Sequence, residues 1–340
     1  MFLYITKSTL QLNKSGGKII IKDSETTDIR KIPINTIEGV VIFGKAQLTT
    51  DVIRTFLKGK IPVFFLSKYG NYFGKLDSLE LKNVELLYKH IEASTDVYIS
   101  FLYARIIIYA KVHNSIIMLR RWARFDFFQQ KELRRFGEII EKLKNLKLQI
   151  AKSKTKHQIR GFEGLAARYY FEAFSMFLPE GFEFKGRTRR PPLDEINAMM
   201  SLGYTFLAQT IQMVLNIQGI EAQLGFFHKP KDLRTLLVLD MMEMYRAWII
   251  DDLIIRILGK GSITKQHFFI NENDEKKPVL FTEEGLKIFI NEYYKTMFSK
   301  ADEENFGNYK KLTYIEKNVE SFKQAIIHNS PEKYEGFKIK

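Results

Sequence analysis

The sequence predicts an α+β protein: a small, mostly β N-terminal domain over residues 1–78, followed by a larger all-α helical domain over residues 79–340. Three observations lead there. Short apolar runs rich in Ile, Val and Phe, punctuated by glycines, fill the first quarter of the chain. Beyond Leu81 the texture changes to long runs whose apolar residues stand three and four apart. The chain has 340 residues, 45% of them hydrophobic and 14% aromatic, which is enough to fill a real core.

In chain order, the runs Phe2 to Ile5, Lys18 to Ile21, Val40 to Phe43 and Ile61 to Leu66 read as strands. Ser15-Gly16-Gly17 sits before the second of them and supplies the positive-φ residues of a tight hairpin. One helix interrupts the β domain: Thr49 or Thr50 can cap Asp51 to Lys58, and Gly59 stops it. Further on, Val97, Phe101, Ala104, Ile108 and Val112 mark a helix face. Helices are expected over 131–150, 158–178, 193–218, 232–258, 283–298 and 312–328, and residues 271–277 read as a surface loop. The last eighty or so residues read as helical packing and a basic tail.

Fifty-three Lys and Arg against thirty-nine Asp and Glu give a formal charge of +14. Such a balance favours a polyanionic partner, nucleic acid or an anionic membrane face. The longest apolar stretches are far short of a bilayer span, so no membrane association is expected. There is no cysteine, hence neither a disulfide framework nor a thiolate metal site, and no secretory pattern opens the chain. A cytoplasmic location fits.

Four polar features fall in the helical part, where burial without a purpose would be costly. Glu163 lies among small residues in Gly161-Phe162-Glu163-Gly164-Leu165-Ala166-Ala167-Arg168, where a carboxylate can reach a metal unobstructed; the plainer reading pairs it with Arg160 or Arg168. His228 follows Leu224-Gly225-Phe226-Phe227 and precedes Lys229-Pro230, a rigid position that suits a ligand or a hydrogen-bonded cap. Asp240 and Glu243 stand three apart within an apolar run, so their charges repel unless a cation sits near; Arg234 or Arg246 could supply it. Arg187, Arg189 and Arg190 crowd the loop before Pro191-Pro192 and could either grip phosphates or brace helices. A second basic cluster, Arg120, Arg121, Arg124, Arg134 and Arg135, is interleaved with Trp122, Phe125 and Phe127. It suits DNA contact or an amphipathic helix surface equally.

One imidazole and two or three carboxylates without thiols form a ligand set suited to Mg²⁺ or Mn²⁺, with zinc less favoured. No Walker loop, dinucleotide glycine fingerprint, HExxH or Gly-x-Ser-x-Gly is present, which removes the usual support for nucleotide hydrolysis, zinc protease and serine hydrolase chemistry.

In this order and context the residues resemble the CRISPR-associated integrase family of spacer acquisition, Cas-one. The resemblance rests on Gly161 to Tyr170, Arg187 to Ala198, Ser201 to Tyr204, Gly225 to His228 and Leu239 to Arg246. The N-terminal part is also similar, through Ile32 to Ile34, Val40 to Gly44 and Gly59 to Val63, so the likeness spans about Met1 to Leu258. The chain departs from the family pattern at Ala247, at Phe227 and across 229–233.

The resemblance implies that Glu163, His228 and Glu243 are catalytic and hold the metal, with Asp240 a candidate acidic assistant. It implies nucleic-acid binding by Arg168, Arg187, Arg189 and Arg190. It implies homodimers through the β domains, bridged by a Cas-two dimer. It further implies an integrase/endonuclease that inserts prespacer DNA into the CRISPR repeat through 3′-hydroxyl attack. Two other readings stand beside it: a stand-alone metal nuclease acting on branched DNA in repair, and a non-catalytic DNA-binding assembly subunit.

Overall fold

The computed structural model describes residues 2–67, 72–76, 78, 83–125, 130–188, 191–228, 235–272, 274–276, 278–298 and 309–340. The chain divides into two compact units, Met1–Leu81 and Lys82–Lys340.

In the first unit the strands are β1 (Phe2–Ile5), β2 (Leu10–Ser15), β3 (Lys18–Asp23), β4 (Ile29–Pro33), β5 (Gly39–Phe43), β6 (Gln47–Leu48), β7 (Val63–Leu66) and β8 (Tyr72–Leu76), with helix α1 (Thr50–Lys58) between β6 and β7. They form two four-stranded sheets, ordered β1-β5-β7-β8 and β4-β3-β2-β6. β1, β5 and β7 run parallel, and β8 returns antiparallel. All five residues of β5 are buried, as a parallel strand covered on both faces requires, which explains an apolar run with no alternation. The β2–β3 hairpin pairs Ser15 with Lys18 across Gly16, which takes φ +57. Leu12 and Ile21 from that hairpin join Ile5, Val40, Val52, Phe56 and Val63 in one apolar cluster. α1 starts at Thr49 without a side-chain capping bond, and it is Lys60, one residue past Gly59, that takes the left-handed turn at φ 55.

The second unit contains α2 (Val84–Thr95), α3 (Val97–Trp122), α4 (Gln130–Lys152), α5 (Lys156–Ser175), α6 (Glu195–Ile217), α7 (Leu236–Glu243), α8 (Asp252–Gly259), α9 (Glu283–Phe298) and α10 (Lys311–Ile327). Side-chain caps set four of the starts: Asn83 accepts from Leu86 N, Asp96 from Ile99 N, Thr155 from Gln158 N, and Asp194 from Asn197 N. The long helix α3 is buried on several sides and packs against α4, α5 and α7.

The structure departs from the sequence reading in one place and adds to it in two. The helix expected over 232–258 is broken: α7 ends at Glu243, a π-helical turn occupies Arg246–Asp251, and α8 follows, while residues 232–234 lie outside the described residues. A π turn widens the helix by one residue per turn, shifting which side chains face inward. The expected loop at 271–277 connects a two-stranded antiparallel ribbon, β9 (Phe268–Ile270) and β10 (Val279–Phe281), with Asn273 and Lys277 outside the described residues. The basic tail is neither helical nor loose: Tyr334, Phe337 and Ile339 are buried, at 1%, 7% and 1% exposure.

That closing segment is held by Asn114 of α3. The Asn114 amide donates to Met244 O at 2.8 Å and Phe337 O at 2.9 Å and accepts from Ile339 N at 2.8 Å. Phe337 also lies against Tyr245 and Trp248, each with ring centroids 4.8 Å away. A buried amide with its hydrogen-bonding capacity used in this way fixes geometry without a desolvation loss.

Candidate active site

The site is assembled around α7. Asp240 is fully buried, and its carboxylate accepts four bonds: Oδ2 from Phe226 N (2.5 Å) and Phe227 N (3.0 Å), Oδ1 from His228 N (3.0 Å) and His228 Nδ1 (2.6 Å). The loop carrying His228 is thus wrapped around one carboxylate. Gly225 makes the close approach feasible, since a Cβ there would stand 2.5 Å from Leu236 Cβ and 2.9 Å from Asp240 Oδ2. From α5, Arg160 donates to Phe227 O at 2.9 Å and spreads its guanidinium over the Phe227 ring.

A carboxylate already receiving three backbone N–H groups acts as an acceptor, which assigns the Nδ1 proton to the His228–Asp240 bond. Nε2 then faces Glu243 Oε1 at 3.9 Å. Asp240 has its oxygens fully used, so direct metal ligation by Asp240 does not fit; its place is behind the histidine.

Glu243 is 5% exposed and lies between two cations. Arg246 Nη1 stands 3.1 Å from Oε1, and Lys111 Nζ of α3 stands 2.7 Å from Oε2. The Lys111 contact is an ion pair and not a well-directed hydrogen bond, because Oε2 is buried without one. The same ammonium donates to Glu163 Oε1 of α5. Lys111 therefore bridges the two glutamates.

Burial pushes the Glu243 carboxyl up, but Arg246, Lys111 and His228 overcome it and hold the group down at about 2. Burial pushes Lys111 down, and the pull of Glu243 and Glu163 outweighs it, leaving the ammonium more basic than usual.

The pocket beside this cluster is lined by Lys111, Glu163, Tyr170, Tyr204, Glu243 and Asp251, among others. Asp251, at the end of the π turn, accepts from Tyr170 Oη at 2.6 Å and Tyr204 Oη at 2.7 Å. Burial raises its carboxyl to about 6 against those two hydrogen bonds and the Arg246 and Arg187 charges. Arg246 lies over the Tyr204 ring, 4.7 Å from its centroid, and so joins the two acidic groups.

The structure thus brings Glu163, His228, Asp240 and Glu243 into one neighbourhood, and it separates the arginines. Arg168 is exposed on α5. Arg187 is turned inward: it donates to Thr188 O, to Asn197 Oδ1 at 2.7 Å and to Ser201 Oγ at 3.2 Å, and it lies over Tyr204. In this arrangement it braces the loop against α6, the second of the two roles the sequence left open. Arg189 and Arg190 lie outside the described residues. In the second basic cluster, Arg134 and Arg135 pair with Glu138, Arg135 also pairs with Glu172, and buried Trp122 donates to Asp252. These contacts match a helix surface. Phe127 and the Phe125 side chain lie outside the described residues.

Sequence reasoning missed Lys111, Tyr170, Tyr204 and Asp251 as members of the site. A signal for Lys111 was there: a single cation in the middle of the apolar stretch Ile106 to Met118.

Among the described residues, no three His, Asp or Glu side chains stand close enough to hold one metal ion together. The donor chemistry nonetheless fits a hard divalent cation: two carboxylates and an imidazole nitrogen, with a cation already between the carboxylates in the form of the Lys111 ammonium. Among the described residues no helix is long and apolar enough to cross a membrane.

Residues 3–295 match the family model described as CRISPR associated protein Cas1. A curated relative from Mycobacterium tuberculosis, named CRISPR-associated endonuclease Cas1, is 27% identical over 288 residues, 84% of this chain and 81% of its own. Among solved structures, a chain of a Cas6-RT-Cas1–Cas2 complex superposes with TM-score 0.85 at 21% identity, covering 99% of this chain; this chain spans 36% of that longer one. A casposase bound to integration product superposes with TM-score 0.81 at 21% identity, covering 96% of this chain and 91% of its own.

Proposed function

The chain belongs to the CRISPR associated protein Cas1 family, and from that membership we propose that it is a metal-dependent DNA integrase/endonuclease of spacer acquisition, joining prespacer 3′ ends to the CRISPR repeat. The observation that carries the chemical part is the Asp240–His228–Glu243 relay. A buried carboxylate fixes the His228 ring through Nδ1, and Nε2 is aimed at a second buried carboxylate. An imidazole held this way, with Nε2 facing Glu243 and within one lysine of Glu163, is arranged as a ligand.

In this reading Glu163, His228 Nε2 and Glu243 would hold a Mg²⁺ or Mn²⁺ ion. When bound, such an ion supplies Lewis-acid stabilisation of the charge that builds on a phosphodiester during in-line attack. The chain's own residues do the rest. Asp240 and Arg160 keep the His228 loop in place, Arg246 keeps Glu243 ionised, and Arg168 offers an exposed guanidinium to the DNA backbone. With a DNA 3′-hydroxyl as nucleophile the product is a joined strand; with water it is a cut. The formal charge of +14 suits DNA as the partner. Homodimerisation through the β domain, assembly with a Cas2 dimer and a cytoplasmic location belong to the same proposal.

The test is strand transfer of a 3′-hydroxyl duplex into a supercoiled CRISPR plasmid, with Mn²⁺ or Mg²⁺, with and without a Cas2 partner. Glu163→Ala is expected to lose joined product by at least about 100-fold while keeping its fold. Joining by the variant at the wild-type rate would sink the site assignment. Cutting without joining in the presence of partner and repeat would favour the stand-alone nuclease, and binding with neither reaction the assembly subunit.

A further inference from the structure

The polar groups most distant in sequence from the rest of the site are also the most closely engaged with it. Lys111 comes from α3, and its ammonium touches both Glu163 and Glu243, the two carboxylates assigned above to the metal. We propose that Lys111 is a tethered competitor for the divalent ion: its ammonium holds the space between the two glutamates, and loading the metal requires the lysine to leave it. The proposal rests on the assignment of Glu163, Glu243 and His228 as metal ligands.

The geometry argues as follows. Glu243 has two oxygens, and each faces a cation: Arg246 Nη1 at 3.1 Å and Lys111 Nζ at 2.7 Å. Arg246 is held in place by its neighbours, lying over the Tyr204 ring. Lys111 sits at the end of a flexible four-carbon stem, and its contact with Glu243 is poorly directed for a hydrogen bond. Of the two cations, the lysine is the one that can move.

The charges decide the rest. Two glutamates against one lysine and one arginine balance to zero. A divalent ion entering beside an unmoved ammonium would set cation against cation between the same two carboxylates, in a largely buried site where screening is weak. An ion held by the same two carboxylates would compete with the ammonium that now bridges them. A DNA phosphate arriving at the pocket changes that balance, because it offers the displaced ammonium a new anion within reach of its stem. The lysine therefore couples metal loading to DNA: weak occupancy in the free protein, tighter occupancy once a phosphate is present.

The experiment is Mn²⁺ binding to the full chain, followed by calorimetry and by the loss of the free-ion electron paramagnetic resonance signal. Wild type, Lys111→Met, Lys111→Gln and Glu163→Gln are compared, each with and without a short DNA duplex. Methionine keeps the length and removes the charge; glutamine is the second variant should the first fail to fold.

The expected result is Mn²⁺ bound at least about tenfold more tightly by the Lys111 variants than by wild type in the absence of DNA, and a DNA-induced gain in affinity that is large in wild type and small in the variants. Equal affinities in wild type and variants would overturn the competition while leaving the metal assignment standing. Weaker binding by the variants would overturn it too, by showing that the lysine positions the carboxylates for the ion. No Mn²⁺ binding by any form, with Glu163→Gln indistinguishable from wild type, would remove the metal assignment and the proposal with it.

Discussion

Two buried carboxylates, Glu243 and Asp251, lie eight residues apart on one continuous stretch of chain, and they are driven in opposite directions. Glu243 is held near 2, and Asp251 is raised to about 6. Burial is the largest influence on both and acts the same way on each. The partners differ. Glu243 meets the formal charges of Arg246 and Lys111, whereas Asp251 meets the neutral hydroxyls of Tyr170 and Tyr204 and feels Arg246 and Arg187 only at a distance. The direction in which a buried acid is driven is therefore set by whether its partners carry charge, and burial alone does not predict how readily the acid takes up a proton. Glu243 is fitted to work as an anion; Asp251 is fitted to sit between two phenols and anchor helices α5 and α6 to the π turn.

The sharpest way to break this contrast is at Asp240, the third buried acid of the same stretch. Asp240→Ala would leave three backbone N–H groups and the His228 ring without their acceptor. At about 1–3 kcal/mol for each buried donor stranded, the variant is expected to lose at least about 3 kcal/mol of stability in urea unfolding, and Mn²⁺ binding with it. Unchanged stability would show that the loop does not depend on the carboxylate.

Asp251→Asn tests the other end. A carboxyl whose pKa rises from 3.8 to about 6 on folding stabilises the fold fully below 3.8 and loses that contribution as pH climbs through about 6. Wild type is therefore expected to lose up to about 3 kcal/mol between pH 4 and pH 7 relative to Asp251→Asn, whose profile keeps the other groups' contributions and lacks this loss. Parallel pH profiles for the two proteins would refute the raised value.

The smallest effect is expected at the surface. Arg168→Ala should weaken DNA binding by a few-fold across all sequences and lower the slope of log affinity against log salt by about one, with Mn²⁺ binding unaltered. An unchanged salt slope would take Arg168 off the DNA path.

The residues that sequence alone revealed and those it did not differ in a physical way. Glu163, His228, Asp240 and Glu243 sit in local patterns: small residues around a carboxylate, a histidine before a proline, two acids three apart in an apolar run. Even the need for a cation near the acidic pair was readable, and Arg246 does supply one. What local pattern cannot carry is which distant side chain arrives to meet them. The partner of Glu163 is neither Arg160 nor Arg168 but Lys111, 52 positions earlier, and Arg160 is spent on the Phe227 carbonyl.

The same limit explains Arg187. Its loop reads equally as a phosphate grip or a brace, and only the tertiary fold places Asn197, Ser201 and Tyr204 around it. In the fold, periodicity gave the helices of the second unit and apolar runs gave the buried strands. The π turn at Arg246–Asp251 went unseen, because an extra residue in one turn leaves the apolar content unchanged and alters only its phase.

The clamp formed by Asn114 has a consequence in time. Met244 and Tyr245 follow directly on Glu243, and their support comes from residues 337–339, reached much later along the chain. At a synthesis rate of roughly 5–20 residues per second, the segment bearing Glu243 exists for several seconds with one side of its seat missing. A nascent chain thus carries the acidic groups of the site before it carries residues 337–339, and the seat of Met244 and Tyr245 is complete only once that closing segment has docked.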